Sequence, residues 1–161
     1  MKNELEIRKA LSEIPDPEIP VINISELGVL REVKKEGNIL KVIITPTYSG
    51  CPAMNQIEAD IKEKLKEIGV NDFSIETIYK PAWTTDWMTE KAKKKLLDYG
   101  ISPPEKTSID KRAITGEHKK VICPLCKTHD TKLISQFGST ACKALYQCKK
   151  CLEPFDYFKC I

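Results

Sequence analysis

Five of the seven cysteines stand in settings that could do chemistry. Cys123-Pro124-Leu125-Cys126 and Cys148-Lys149-Lys150-Cys151 are two C-x-x-C pairs with 21 residues between them. Each such turn presents two sulfurs to one ion. Two of them at the ends of a short hairpin complete a tetrahedron with no open position, which is the chemistry of a structural zinc site. A redox disulfide pair or an iron–sulfur cluster would use the same residues, but two matched pairs fit a single Zn²⁺. Cys123, Cys126, Cys148 and Cys151 are therefore the expected metal ligands.

The fifth, Cys51, ends the stretch Thr45-Pro46-Thr47-Tyr48-Ser49-Gly50-Cys51-Pro52. Proline suits the first helical position, so Pro52 makes Cys51 a candidate N-cap. A thiol there lies beside unpaired N–H groups and the positive end of the helix dipole, which favours thiolate. A reactive or metal-handling thiol and a small buried one both satisfy this spacing, since free cysteine is among the most buried residue types. Asp16-Pro17-Glu18-Ile19-Pro20 adds two carboxylates on a rigid, non-helical loop, because each residue before a proline is pushed toward extended backbone. That pair serves a metal or a partner, or is a solvated turn. Cys142 lacks a C-x-x-C partner, Cys160 reads as an exposed spare thiol, and His118 and His129 as isolated surface residues.

The elements that must position these groups follow from periodicity. Ile7, Ala10, Leu11 and Ile14 recur at helical spacing, and Asn3 with Glu6 forms a capping-box pattern, so a helix is predicted over 4–13, ended by Pro15. Val29 to Lys35 and Ile39 to Thr45 are β-branched runs around Glu36-Gly37-Asn38, a hairpin pattern. The second run is nearly continuously apolar, as a central strand is. Met54, Ile57, Ile61, Leu65 and Ile68 predict a helix from Pro52 to a stop at Gly69. Phe73 to Tyr79 alternates as a third strand, and Met88, Ala92, Leu96 and Tyr99 mark the buried stripe of a last helix. Trp83 and Trp87 read as core or loop-packing residues. The order describes a small α+β domain, with helices on a sheet of at least three strands, over residues 1–101. A linker follows over 102–120, then a zinc-ribbon module over 121–161 that is too small to fold by burial alone.

Composition limits the rest. Of 161 residues, 41% are apolar, enough for one domain plus a small module. The net charge of +3 is too mild to indicate nucleic acid without a clustered basic face. No apolar run approaches a membrane span and the first residues lead into a charged helix, so neither membrane nor signal peptide is expected. Clustered cysteines in a reducing, cytoplasmic setting suit metal ligation better than disulfides.

Asp16 to Pro20, Leu27-Gly28, Thr45-Pro46-Thr47 with Gly50-Cys51-Pro52, and Pro81-Ala82-Trp83-Thr84-Thr85-Asp86-Trp87-Met88 leading to Gly100-Ile101-Ser102-Pro103-Pro104 together resemble the MIP18 family, also called DUF59, of metal–sulfur cluster assembly proteins. Glu26 stands where that family commonly has Asp before Leu-Gly. The tail, with its four paired cysteines, Ser135-Gln136-Phe137-Gly138-Ser139-Thr140-Ala141-Cys142-Lys143-Ala144-Leu145-Tyr146 and Glu153-Pro154-Phe155-Asp156, narrows the resemblance to a branch of phenylacetate degradation.

That resemblance implies an accessory or maturation factor of the multicomponent phenylacetyl-CoA 1,2-epoxidase, an oxygenase with a di-iron subunit and an iron–sulfur reductase. It implies Cys51 as a metal- or cluster-handling thiol, with Asp16 and Glu18 as candidates for metal or partner contact. The implied cargo is transient iron or an iron–sulfur cluster, and the implied partners are epoxidase subunits or the iron–sulfur assembly machinery. No catalytic residue is expected, because no base is placed beside Cys51. The competing readings are a stoichiometric structural subunit that never handles metal, a thiol enzyme, and a nucleic-acid-binding ribbon using Lys119, Lys120, Lys127, Lys132, Lys143, Lys149 and Lys150. Those lysines equally form a solvated surface.

Overall fold

The apolar run Ile39–Ile44 is β2, flanked on both sides by other strands. In a computed structural model, which describes residues 2–105 and 119–159, β2 pairs antiparallel with β1 (Leu30–Glu36) and parallel with β3 (Phe73–Thr77). The expected hairpin turn closes over Gly37 and Asn38. Leu40, Val42 and Ile44 are buried on one face, while Lys41 on the other reaches Glu76 across the sheet.

A parallel pair needs a crossover, and α2 (Ala53–Glu67) supplies it between β2 and β3. Its buried residues are Ala53, Ile57, Ile61 and Leu65, the predicted stripe shifted by one residue at its start. Helix α1 (Glu4–Leu11) packs against α2 and β1 and is shorter than expected. Its capping box is complete: the Asn3 side chain accepts the Glu6 N–H at 2.9 Å, and the Asn3 N–H donates to the Glu6 carboxylate at 2.8 Å.

Contacts divide the chain into two units, Met1–Thr89 and Glu90–Ile161. This differs from the expected division after residue 101, and the reason is a strand pairing. Helix α3 (Glu90–Tyr99) runs into β4 (Ile101–Ser102), and β4 joins β7 (Pro154–Phe158) in parallel, Ile101 opposite Asp156. The rest of that sheet is β5 (Thr131–Ser135) and β6 (Lys143–Cys148), in the order β4-β7-β6-β5. Ala92 and Leu96 of α3 are buried as predicted, but Tyr99 is 58% exposed. Most of the predicted linker, together with His118 and Cys160, lies outside the described residues.

Within Met1–Thr89 two of the motif pieces quoted above, Leu27-Gly28 and the Trp83–Trp87 segment, fold onto one another. Trp83 is buried and its indole N–H donates to the Leu27 carbonyl at 2.9 Å. Gly28 has φ +83° and leaves room only for a hydrogen: a Cβ there would lie 2.9 Å from Trp87 Cβ. Trp87 in turn carries the Arg31 guanidinium 3.7 Å above its ring. Both tryptophans are thus packing residues, as predicted.

Candidate metal centre and thiol site

The four ribbon sulfurs come from two turns that precede β5 and connect β6 to β7. In the first, the Lys127 N–H donates to the Cys123 carbonyl at 2.9 Å and the Cys123 N–H to the Thr128 carbonyl at 2.8 Å. In the second, the Cys148 N–H donates to the Glu153 carbonyl at 2.9 Å. Lys127 and Leu152, each directly after a second cysteine, have positive φ of 60° and 65°. The turns need left-handed backbone there to swing both sulfurs to one side.

The result is a cage. Cys123 Sγ lies 3.7 Å from Cys151 Sγ, Cys126 Sγ lies 3.5 Å from Cys148 Sγ, and all four fall within 4.8 Å of one another. A regular tetrahedron with Zn–S near 2.3 Å has sulfurs about 3.8 Å apart, so the spacing fits one Zn²⁺. The electrostatics agree. Burial raises the Cys148 thiol, but the N–H groups of Cys151 and Lys150 and the neighbouring thiols outweigh it and bring it to about 6. The Glu153 N–H favours the Cys151 thiolate, yet burial and the three neighbouring sulfurs push it up to about 12. Four sulfurs this close resist ionising together unless a cation lies among them, and a zinc ion held by Cys123, Cys126, Cys148 and Cys151 would supply structure.

The centre has little else to stand on. Its core is Val121, Cys123, Ala144, Tyr146, Cys148 and Phe155, with Leu133 and Tyr157 packed against it. Cys142 is buried, 3.0 Å from the Thr140 hydroxyl, and lies outside the four-sulfur group. His129 is exposed, 3.6 Å from the Glu105 carboxylate.

Cys51 sits near the end of the loop that leaves β2 and enters α2. Gly50, with φ +78°, turns the chain into it. Pro52 takes the cap position with no side-chain hydrogen bond, and α2 starts one residue later than predicted. The Ala53 N–H lies beside the sulfur and favours its thiolate form, without displacing Pro52 as the cap.

The expected thiolate preference is overturned. Desolvation of the half-buried sulfur raises its pKa and dominates; the Ala53 N–H and the side chains of Thr47 and Tyr48 pull the other way, and the Glu18 charge adds to the rise. At neutral pH Cys51 is a thiol. Local helix-end reasoning missed this because burial is set by tertiary packing.

The two loop carboxylates have different positions. Asp16 is buried, and its Oδ1 accepts the N–H groups of Glu18 at 2.9 Å and Ile19 at 2.8 Å, which shapes the loop. Glu18 is partly exposed and lies near enough to act on Cys51. Among the described residues, the four ribbon cysteines form the one set of three or more His, Cys, Asp or Glu side chains close enough to hold a metal ion. Cys51 and Glu18 stand outside that set; what links them is the effect of the Glu18 charge on the thiol. At the base of the same loop the buried Thr45 hydroxyl has no hydrogen-bond partner among the described residues, a feature nothing in the sequence signals.

Residues 4–76 match the family model described as iron–sulfur cluster assembly protein, and residues 107–159 match the PaaD zinc beta ribbon domain. The chain is 49% identical over 156 residues to an Escherichia coli (strain K12) protein described as a candidate subunit of 1,2-phenylacetyl-CoA epoxidase, covering 97% of this chain and 92% of that one. It is 33% identical over 103 residues to an Fe-S protein maturation auxiliary factor of Porphyromonas gingivalis (strain ATCC BAA-308 / W83), covering 63% of this chain and 94% of that one. Among solved structures, a DUF59 domain from Bacillus anthracis superposes with a TM-score of 0.53 at 30% identity, over 58% of this chain and 90% of that one.

Proposed function

The chain belongs to the MIP18 (DUF59) family of iron–sulfur cluster assembly proteins, in the branch that carries a PaaD zinc ribbon, and from that membership we propose that it matures the phenylacetyl-CoA 1,2-epoxidase by handing iron or an iron–sulfur cluster to one of its subunits. An assembly or accessory role is common to the relatives. The observation behind the finer reading is that Cys51 lies in the loop between β2 and α2, where the Glu18 charge acts on its thiol.

A carrier must take up its cargo and release it. A closed four-sulfur cage holds too well for that, whereas a protonated thiol beside one carboxylate binds weakly and leaves positions for a recipient's ligands. Loading replaces the Cys51 S–H bond with an S–Fe bond and releases the proton, so capture strengthens as pH rises. Asp16 contributes by fixing the loop that carries Glu18. The ribbon zinc, held by Cys123, Cys126, Cys148 and Cys151, serves structure. No residue is assigned a catalytic role, and the setting is cytoplasmic; no helix among the described residues is long and apolar enough to cross a membrane.

Elemental analysis of anaerobically purified protein tests this assignment. Iron retained by the wild type and lost in Cys51→Ser, with zinc equal in both, supports it; equal iron in both removes Cys51 from the transfer. The description of the Escherichia coli relative as part of the epoxidase favours a second reading, a stoichiometric structural subunit. Under that reading the chain copurifies in equal amounts with active epoxidase and Cys51→Ser has no effect.

A further inference from the structure

The unit Glu90–Ile161 carries a groove of about 220 Å³ between the last turn of α3 and the two zinc turns. Leu97, Tyr99, Leu125 and Phe155 supply apolar wall, and Asp98 and Glu153 stand among them. Tyr99 is 58% and Leu125 66% exposed, although helical periodicity places Tyr99 on a buried stripe. Leu125 lies between two metal ligands, so it is held in place by the centre rather than by a core of its own.

The charges are arranged for a cation. Neither Asp98 nor Glu153 has a side-chain hydrogen bond or ion pair among the described residues. Helix α3 contains Lys91, Lys93, Lys94 and Lys95, yet its last turn holds Asp98 and no basic residue. The carboxyl end of a helix is already negative, so an aspartate there costs local stability and deepens the negative potential. The cation on the first zinc turn, Lys127, is directed at the Pro124 carbonyl 2.5 Å away.

We propose that this groove docks a segment of a partner protein offering an apolar side chain flanked by Lys or Arg. The volume is below the roughly 300 Å³ at which small-molecule sites begin, which suits a side chain better than a cofactor. Two carboxylates with no charge partner among the described residues repel phosphate, which argues against a nucleic acid or an anionic lipid in this groove. A footprint this small gives a brief contact, as a factor that releases its client requires. Only the identity of the partner as a client rests on the assembly reading; the groove does not.

The test uses the zinc-loaded full chain, ¹⁵N-labelled, and two probes: acetyl-Gly-Lys-Leu-Phe-Arg-Gly-amide and its charge-reversed form acetyl-Gly-Glu-Leu-Phe-Glu-Gly-amide. The basic peptide is expected to shift the amides of Leu97 to Gly100, Leu125, Glu153 and Phe155 saturably. The acidic peptide should bind about tenfold or more weakly. Asp98→Asn combined with Glu153→Gln should weaken the basic peptide by about tenfold, the sum of two exposed charge pairs, with zinc content and the remaining spectrum unchanged. Equal binding of both peptides, shifts elsewhere, or none at millimolar concentration would overturn the proposal. No iron is involved in these readings, so they are independent of the Cys51 experiment, and either proposal can fail alone.

Discussion

Burial raises the pKa of the Cys51 thiol, and the Glu18 carboxylate, carried on a separate loop, adds to that rise. Asp16 shapes the loop that carries Glu18 by accepting the N–H groups of Glu18 and Ile19.

Removing the carboxylate charge lowers the Cys51 pKa and increases its thiolate fraction. Glu18→Gln is therefore expected to alkylate faster at Cys51 than the wild type at pH 7, with the two rates converging at alkaline pH where both are ionised. Peptide-level mass spectrometry after timed iodoacetamide treatment reads this. A slower Glu18→Gln would contradict the arrangement.

Asp16→Ala removes the acceptor of two backbone N–H groups in a buried setting. The expected loss is about 1–3 kcal/mol in urea denaturation, against a smaller loss for Asp16→Asn, whose side-chain oxygen still accepts. Equal costs for the two variants would mean that the hydrogen bonds are not what matters.

Gly28→Ala must place a methyl against Trp87 at φ +83°, whereas Gly69→Ala, at φ +84°, meets open space. Left-handed backbone costs an L-residue about 1–2 kcal/mol, and overpacking adds about 1–3 kcal/mol. Gly28→Ala should thus lose about 2–5 kcal/mol and Gly69→Ala about 1–2 kcal/mol by thermal or chemical denaturation.

Both tryptophans, Trp83 and Trp87, belong to Met1–Thr89, while the zinc centre belongs to the other unit. Stripping zinc with a chelator and a thiol reagent removes folding free energy on the order of 10 kcal/mol from a module with a small core. The expected outcome is partial loss of β-sheet circular dichroism, from the β4-β7-β6-β5 sheet, with tryptophan fluorescence retained. Retention of the ribbon signal without metal would assign its stability to packing instead.

Local patterns carried much of this architecture. The apolar run Ile39–Ile44 announced a central strand, and it does lie between β1 and β3, although only its Leu40, Val42 and Ile44 face is buried; the Cys123–Cys126 and Cys148–Cys151 spacings announced a four-sulfur site because two matched C-x-x-C turns fit a single ion. The pairing of β4 with β7 was not legible: Ile101-Ser102 is too short for a periodic signal, and its partner lies at the far end of the unit. Nor was the sign of the Cys51 shift, since desolvation depends on what the whole loop packs against. Tyr99 misled for a related reason, because helical spacing names a face but not what covers it.

The transfer of iron through Cys51 is tested most directly in cells that make the chain together with the epoxidase. Cys51→Ser should leave the zinc of the ribbon unchanged while the iron content of the purified epoxidase, and its epoxidation of phenylacetyl-CoA, fall severalfold. Full iron loading and full epoxidation with Cys51→Ser would contradict it.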